Sequence, residues 1–250
     1  SASARSHAAS REAVTMAFLW TMVFVDPLII LSTIFFGTIS VTASFFEKDG
    51  RIQTAMARYW ARSLLKFAGT RVTVEGIEKI CLDKPYVFVS NHLSYMDTPV
   101  VLGAIPVQFR FMAKKGLFQI PFLGTHLMQA GHIPVPLDDA RASVKTLHRA
   151  AQTIRDRGIS ILIFPEGGRS INGVLQDFKE GAAYIAIKAG VPVVPVTMVG
   201  TRRILAMGTM TFHSGAVKVR ISDPIPTAGM TLHDRRELTA KIRGRIVEML

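Results

Sequence analysis

A histidine and an aspartate stand five positions apart in the first half of the chain, just after an apolar run. His92 and Asp97 follow residues 87–90, whose β-branched and apolar side chains are typical of a buried strand. In a helix, this separation would turn the two side chains about 140° apart. The spacing therefore predicts that His92 lies in a strand-to-helix turn and that Asp97, or Ser94 before it, begins the helix. There the carboxylate can orient the imidazole, which suits the histidine to taking a proton from a hydroxyl group.

A second polar loop, PEGGRS at residues 165–170, follows another buried apolar run. Its glycines allow a ligand to approach the backbone, and the guanidinium of Arg169 can bind a phosphate through paired donors. Lysines can add positive charge without that directional demand. A solvated Arg169, or one paired with the neighbouring carboxylate, fits the same residues. The residues predicted here to bind a phosphate are Arg169 and one of Lys114 and Lys115.

Strand and helix patterns alternate from residue 70 to the end of the chain, although residues 200–211 show no clear pattern. This alternation predicts an α/β fold with a largely parallel mixed sheet flanked by helices. In such sheets ligands bind beyond the carboxyl ends of strands, where the loops that contain His92 and Arg169 would meet. The predicted strands are residues 71–75, 87–90, 109–113, 132–135, 159–164, 193–198 and 217–221.

Residues 13–46 contain a single charge, Asp26, which is followed by Pro27. This pair divides the segment into uncharged runs of about 13 and 20 residues, and a membrane-spanning helix needs about 20. A helix, a kink and a second helix are predicted, as in a hairpin that inserts into a membrane. Basic residues flank both ends, which favours the cytoplasmic side for both. A cleavable signal peptide and a buried core hairpin are the alternatives.

Residues 51–69 have apolar side chains at helical spacing, with arginines and a lysine on the other faces. Such a helix fits a membrane interface, and it equally fits a surface helix that covers a core. The predicted organisation is a flexible N-terminus at residues 1–12, a membrane-anchoring hairpin with the amphipathic helix at residues 13–69, and an α/β domain at residues 70–250.

The charge and cysteine content limit the classes of partner. A net charge of +12 over 250 residues indicates an anionic partner, which can be nucleic acid, anionic lipid or a phosphorylated substrate. No nucleic-acid-binding motif is recognisable, so lipid and phosphate explain the charge better. The single cysteine, Cys81, excludes an internal disulfide and argues against a cysteine-based metal site.

Four segments resemble the sequence blocks of glycerolipid acyltransferases, the 1-acylglycerol-3-phosphate acyltransferase family. They follow one another along the chain in the same order as the blocks of the family. NHLSYMD at residues 91–97 resembles the block N-H-x4-D, and FPEGGRS at residues 164–170 resembles F-P-E-G-[ST]-R-S. Residues 114–124 and 191–196 resemble two further blocks of the family. The resemblance covers most of the α/β domain.

The resemblance implies transfer of a fatty acyl group from an acyl-CoA or acyl-carrier-protein thioester to the free hydroxyl of a lysophospholipid. His92 would be the general base and Asp97 would orient it, while Arg169 and one of the two lysines would bind the acceptor phosphate, in a pocket that Glu166 and Gly167 shape. No cofactor is expected, and no acyl-enzyme intermediate. The implied location is the cytoplasmic face of a bacterial inner membrane, and the oligomeric state is not specified.

Two departures from the family pattern bear on the acceptor. Gly168 replaces the Thr or Ser of the block F-P-E-G-[ST]-R-S, and Pro136-Leu137 stands where related chains often read Asp-Arg. Arg141 can replace the missing positive charge from the following helix. A different lysolipid acceptor is therefore the first alternative, and a non-catalytic membrane-binding protein is the second.

Overall fold

Within residues 15–136 and 140–250, which the computed structural model describes, seven strands form one sheet between two layers of helices. The strands are β1 (Thr70–Glu75), β2 (Val87–Ser90), β3 (Phe109–Lys114), β4 (Ile133–Val135), β5 (Ser160–Ile163), β6 (Val193–Val199) and β7 (Gly215–Ile221). The helices are α1 (Thr15–Ala43), α2 (Arg51–Phe67), α3 (Asp97–Ala104), α4 (Leu123–Gln129), α5 (Ala140–Arg157), α6 (Gly181–Ala189), α7 (Thr201–Ile204) and α8 (Arg235–Glu248).

The strand order is β1-β7-β6-β2-β5-β3-β4, and every neighbouring pair is parallel except β6 and β7. The predicted α/β class with a largely parallel mixed sheet is therefore confirmed. Strands β2 to β6 all run in the same direction, so their carboxyl ends lie at one edge of the sheet. The loops after β2, β3 and β5, which contain the predicted site residues, leave from this edge.

The centre of the sheet is buried on both faces. Val87, Phe88 and Val89 of β2 are each 0% exposed, because helices cover the strand on both sides. The side chain of Phe88 joins a cluster with α2 and α3, whereas those of Val87 and Val89 join a cluster with α5, α6 and α8. Burial on both faces explains why β2 reads as a continuous apolar run rather than an alternating one.

The prediction that residues 13–46 divide into two helices at Asp26-Pro27 is wrong, because α1 continues through this pair as one helix of 29 residues. Thr21–Val25 forms a π-helical turn, in which the N–H of Asp26 donates to the carbonyl of Thr21. Proline lacks an N–H and its ring clashes with the preceding turn of an α-helix. The wider π turn accommodates that ring, so the chain does not reverse direction there.

The helical hairpin forms instead between α1 and α2. Trp60 Nε1 donates to Thr33 Oγ1 at 2.9 Å, and the rings of Phe36 and Tyr59 stack with their centroids 6.4 Å apart. The two helices are therefore antiparallel. The predicted flexible N-terminus, residues 1–12, lies outside the described residues. The division of the chain at residues 69 and 70 stays a prediction.

Candidate active site

His92 and Asp97 lie in the turn between β2 and α3, where their spacing had placed them. Asp97 is the first residue of α3, and its Oδ2 atom lies 2.9 Å from His92 Nδ1. The same oxygen accepts the backbone N–H groups of Leu93 at 2.6 Å and Ser94 at 2.8 Å. Three donors thus fix the carboxylate against Nδ1. The opposite ring nitrogen, Nε2, has no hydrogen-bond partner among the described residues, and it is free to accept a proton.

Hydrogen bonds from the neighbouring loop fix the backbone of His92. Its N–H donates to Glu166 Oε1 at 2.6 Å, and its carbonyl accepts the N–H of Ser170 at 3.0 Å. The other carboxylate oxygen of Glu166 accepts the N–H of Gln176 at 2.9 Å. Because β2 and β5 are parallel neighbours, both loops leave the same edge of the sheet. Glu166 therefore joins the histidine turn to the PEGGRS loop.

Burial of the Glu166 carboxyl raises its pKa above the usual value, and the negative charge of Asp97 raises it further. The N–H groups of Gln176 and His92 and the positive charge of Arg243 oppose that change. Glu166 is only 6% exposed, so these donors replace the hydration that the carboxyl loses. A side chain with no oxygen at this position would leave both N–H groups without an acceptor.

The imidazole of His92 stacks on the ring of Phe164, with centroids 3.9 Å apart and an interplanar angle of 9°. Burial lowers the pKa of His92 below its usual value of 6.5, and the charge of Arg169 lowers it further. The hydrogen bond and negative charge of Asp97 act in the opposite direction without overcoming these effects. The imidazole is therefore neutral near pH 7 and available as a base.

Arg169 stacks on Tyr95, with the guanidinium carbon 4.6 Å from the ring centroid. In the described part of the chain no carboxylate lies within ion-pair distance of Arg169, so the predicted alternative of a pair with Glu166 is absent. Its Nε is buried without a hydrogen-bond partner. The guanidinium is held by the tyrosine ring and can bind an anion at the site.

The two glycines of the PEGGRS loop have different surroundings. Gly167 has a φ of 77°, and a Cβ at this position would lie 2.8 Å from Lys179 Nζ. The missing side chain thus brings a lysine amine against the loop, a contact that the sequence did not indicate. A Cβ added at Gly168 would meet nothing within 4 Å. The site is therefore open where the family block has Thr or Ser.

Lys114 and Lys115 lie at the same edge of the sheet as the loops that contain His92 and Arg169. Lys114 is the last residue of β3, Lys115 begins a 3-10 turn at Lys115–Gln119, and both are exposed. Within the described ranges, neither lysine bonds to another predicted site residue. The structure thus brings His92, Asp97, Glu166 and Arg169 together and leaves the lysines as exposed neighbours.

Side chains with no assigned role also fix the turn. Asn91 donates from Nδ2 to the carbonyl of Met198 at 3.0 Å and accepts the N–H of Met198 at 2.8 Å. Ser94 Oγ donates to the carbonyl of Leu205 at 2.6 Å. Both bonds attach the histidine turn to β6 and the segment after it. The sequence signal for Asn91 was its place beside His92 in the NHLSYMD segment.

The remaining sequence expectations concern metals and the acceptor region. The described residues contain no group of three or more His, Cys, Asp or Glu side chains that could bind a metal ion. Pro136 precedes a gap at residues 137–139, so Leu137 lies outside the described residues. Arg141 is exposed on α5.

The chain belongs to the acyltransferase family, whose model matches residues 71–199. That match contains the histidine turn and the PEGGRS loop, and it confirms the predicted resemblance.

Named relatives define the subgroup to which the chain is similar. It is 37% identical over 172 residues to the chloroplast 1-acyl-sn-glycerol-3-phosphate acyltransferase LPAT1 of Arabidopsis thaliana, covering 68% of this chain and 48% of that protein. It is 32% identical over 175 residues to the human 1-acyl-sn-glycerol-3-phosphate acyltransferase alpha, covering 70% of this chain and 62% of that protein. The chain thus spans about half the length of the plant relative.

A solved structure resembles almost the whole chain. The crystal structure of the 1-acyl-sn-glycerophosphate acyltransferase PlsC from Thermotoga maritima superposes with a TM-score of 0.79 at 27% identity, and the match covers 93% of both chains. The similarity therefore extends beyond residues 71–199 to the N-terminal helices.

Proposed function

We propose that this protein transfers a fatty acyl group from a thioester to the free hydroxyl of 1-acylglycerol-3-phosphate, giving phosphatidic acid. The observation that carries the proposal is the 2.9 Å contact between His92 Nδ1 and Asp97 Oδ2, which leaves Nε2 as a base beside Arg169. Similarity to relatives named 1-acyl-sn-glycerol-3-phosphate acyltransferase supports the choice of acceptor.

In the proposed reaction, His92 Nε2 takes the proton of the acceptor hydroxyl while its oxygen attacks the thioester carbonyl. A C–O bond forms, the tetrahedral intermediate collapses, and the C–S bond breaks. The imidazolium then returns the proton to the leaving thiolate. Asp97 stabilises the imidazolium between these steps, and positioned proton transfer of this kind accelerates reactions by about 10²–10⁴. The thioester supplies an activated acyl group, so we propose that no cofactor and no acyl-enzyme take part.

Arg169 is the proposed ligand of the acceptor phosphate. Stacking on Tyr95 orients the guanidinium, and its donors have no carboxylate partner in the described part of the chain. One of Lys114 and Lys115 adds charge from the β3 side, and Glu166 and Gly167 shape the loop. The space beside Gly168 supports a second candidate, the same chemistry on a lysolipid with another head group.

We further propose that the chain binds one leaflet of a membrane, at the cytoplasmic face of a bacterial inner membrane, through α1. This is the described helix long and apolar enough to cross a bilayer, with a mean hydropathy of 2.0. It contacts the α/β domain near both ends, through Thr21 to the N–H of Phe212 at 3.0 Å and through Ser40 to His126 Nδ1 at 2.7 Å. A helix that crossed the bilayer away from the domain would lose one of these contacts.

The test is a turnover assay on the purified full chain in detergent micelles. Palmitoyl-CoA and palmitoyl-carrier protein are crossed with 1-acylglycerol-3-phosphate and with lysolipids that have choline, ethanolamine or glycerol head groups, and release of free thiol is measured. We expect turnover with 1-acylglycerol-3-phosphate and a loss of about 10²–10⁴ in rate for His92→Ala and for Asp97→Ala.

His233→Ala is the matched control, because this histidine is exposed on a 3-10 turn away from the site. It is expected to leave the rate unchanged. Full activity of a folded His92→Ala or Asp97→Ala variant would refute the mechanism. Turnover with another head group in preference to 1-acylglycerol-3-phosphate would replace the proposed acceptor with the second candidate.

A further inference from the structure

A basic cleft lies on the exposed face of β1 and β7. It measures about 550 Å³ and its walls include Thr73, Gly200, Arg202, Arg203 and Lys218. The cleft begins where β6 ends, at the same edge of the sheet as the histidine turn. None of the residues proposed to bind the acceptor lines this cleft.

Two of its three cations are not neutralised. Lys218 pairs with Glu75 at 2.8 Å. Among the described residues, no acceptor or carboxylate lies within bonding distance of the guanidinium groups of Arg202 and Arg203. Arginine presents a planar set of donors that matches the oxygens of a phosphate. Two adjacent arginines without a carboxylate partner therefore form a surface suited to a phosphate.

The side chain of Arg202 also reaches the loop that follows β5 and contains the PEGGRS segment. Its guanidinium lies against Gly173, where an added Cβ would clash with Nη1 and lie 3.0 Å from Cζ. Gly173 lies three residues after Ser170 in the same loop. The backbone N–H of Ser170 donates to the His92 carbonyl at 3.0 Å.

The other end of the cleft leads back to the same turn. Val199 lines the cleft and follows Met198, whose backbone N–H and carbonyl both bond to the side chain of Asn91. The cleft is therefore attached to the histidine turn from both sides, through Gly173 and through Met198. Arg169 is not among the residues that line the cleft.

The proposed reaction has two substrates, and so far only the phosphate of the acceptor has a proposed ligand. Both kinds of proposed donor, acyl-CoA and acyl carrier protein, present the thioester at the end of a 4′-phosphopantetheine arm. We propose that Arg202, assisted by Arg203, binds the phosphate of this arm and so positions the donor. This inference rests on the proposed function, because it identifies the donor subsite of the same active site.

The first experiment measures binding without turnover. Pantetheine 4′-phosphate is titrated into the purified full chain by calorimetry, with wild type, Arg202→Ala, Arg203→Ala and the matched control Arg236→Ala. Arg236 is an exposed arginine of α8, away from the cleft. We expect the Kd to rise about tenfold or more for Arg202→Ala, as for loss of a charge-assisted hydrogen bond, and to stay unchanged for the control.

The second experiment separates the two sources of the phosphate by steady-state kinetics. Arg202→Ala is expected to raise KM about tenfold for both acyl-CoA and acyl carrier protein, and to leave KM for the acceptor unchanged. A KM increase confined to acyl-CoA, with competition by adenosine 3′,5′-bisphosphate, would assign Arg202 to the nucleotide and overturn the proposal.

An increase in acceptor KM alone, or unchanged Kd and KM values, would also overturn it. If wild type turns over no thioester, the proposed function fails. The binding titration then still decides whether Arg202 recognises pantetheine 4′-phosphate.

Discussion

At the scale of single residues, the site depends on the balance of opposing effects on His92. Asp97 supplies the hydrogen bond and negative charge that favour an imidazolium, but burial and Arg169 act against it and lower the pKa. The net result is a neutral histidine at neutral pH, with Nδ1 bonded to Asp97 and Nε2 free among the described groups. A base needs this state, because a protonated ring cannot accept the hydroxyl proton.

The pH dependence of activity follows from this balance. A base is active above its pKa, so kcat/KM of the proposed reaction is expected to rise with pH and to reach half its maximum below pH 6.5, the usual histidine value. Arg169→Gln removes a positive charge that lowers the pKa of His92, so it should move this midpoint upward. The midpoint is measured from pH 4.5 to 8.5 with 1-acylglycerol-3-phosphate.

Because Arg169→Gln also weakens acceptor binding in the proposed site, the position of the midpoint is the informative quantity rather than the height of the profile. His233→Ala provides the control profile. A wild-type midpoint at or above pH 6.5, or a downward movement in Arg169→Gln, would contradict this account of His92.

At the scale of elements, buried polar side chains determine how strands and helices meet. His132, directly before β4, accepts the backbone N–H of Phe111 in β3 through Nδ1 at 3.0 Å. Burial, together with the charges of His126 and Arg110, lowers the pKa of His132 to about 3. Protonation of Nδ1 would break the bond and leave a charge in the core, so the neutral ring is part of the folded structure.

This histidine predicts a loss of stability in acid. The unfolded chain takes up a proton at His132 near pH 6.5 and the folded chain only near pH 3, so the unfolded state binds more protons between these values. The free energy of unfolding should therefore fall as the pH drops through this range, by about 2 kcal/mol between pH 7 and pH 5 from this residue.

Urea denaturation of the full chain in detergent at both pH values measures the effect. His132→Asn is the test variant, because its side-chain oxygen can accept the N–H of Phe111 but does not titrate. Other buried histidines contribute equally to wild type and variant. The difference between pH 7 and pH 5 should be smaller in His132→Asn by about 2 kcal/mol, and an equal difference would rule out this role.

At the scale of the whole molecule, α1 reverses the usual distribution of polar and apolar side chains. Polar Thr21 and Ser40 are 0% and 1% exposed, whereas Leu31 and Phe35 on the outer face are 63% and 60% exposed. A large exposed apolar surface on a helix is unfavourable in water and favourable in lipid. The inner face binds the α/β domain through hydrogen bonds, and the outer face is available to a bilayer.

Charges on that outer face should therefore release the chain from membranes. The double variant Leu31→Asp and Phe35→Asp places two carboxylates where lipid is proposed, each costing about 2.5–3.5 kcal/mol in a hydrocarbon core. Sedimentation with vesicles that contain anionic lipid should fall to a small fraction of wild type. Leu82→Asp, at a side chain 57% exposed outside α1, is the matched control. Unchanged sedimentation of the double variant would contradict the assignment of α1 to the membrane.

The sequence by itself determined the elements and the identity of the main site residues. Apolar periodicity is a local property, so the strands Thr70–Glu75 and Val87–Ser90 were predicted within about one residue of their observed bounds. The turn position of His92 followed from its five-residue distance to Asp97, which is local too. The family blocks added the acyltransferase class, because a family's chemistry is conserved in short segments that follow one another in a fixed order.

Tertiary structure alone decided the contacts between distant segments. Glu166 lies 74 positions from His92 and Met198 lies 107 positions from Asn91, and neither bond follows from a local pattern. Strand order brings these pairs together, and burial in that fold determines the direction of the His92 pKa shift. The structure also decided that α1 continues through Pro27. The sequence predicted a break at this proline, whereas a π turn accommodates it within one helix.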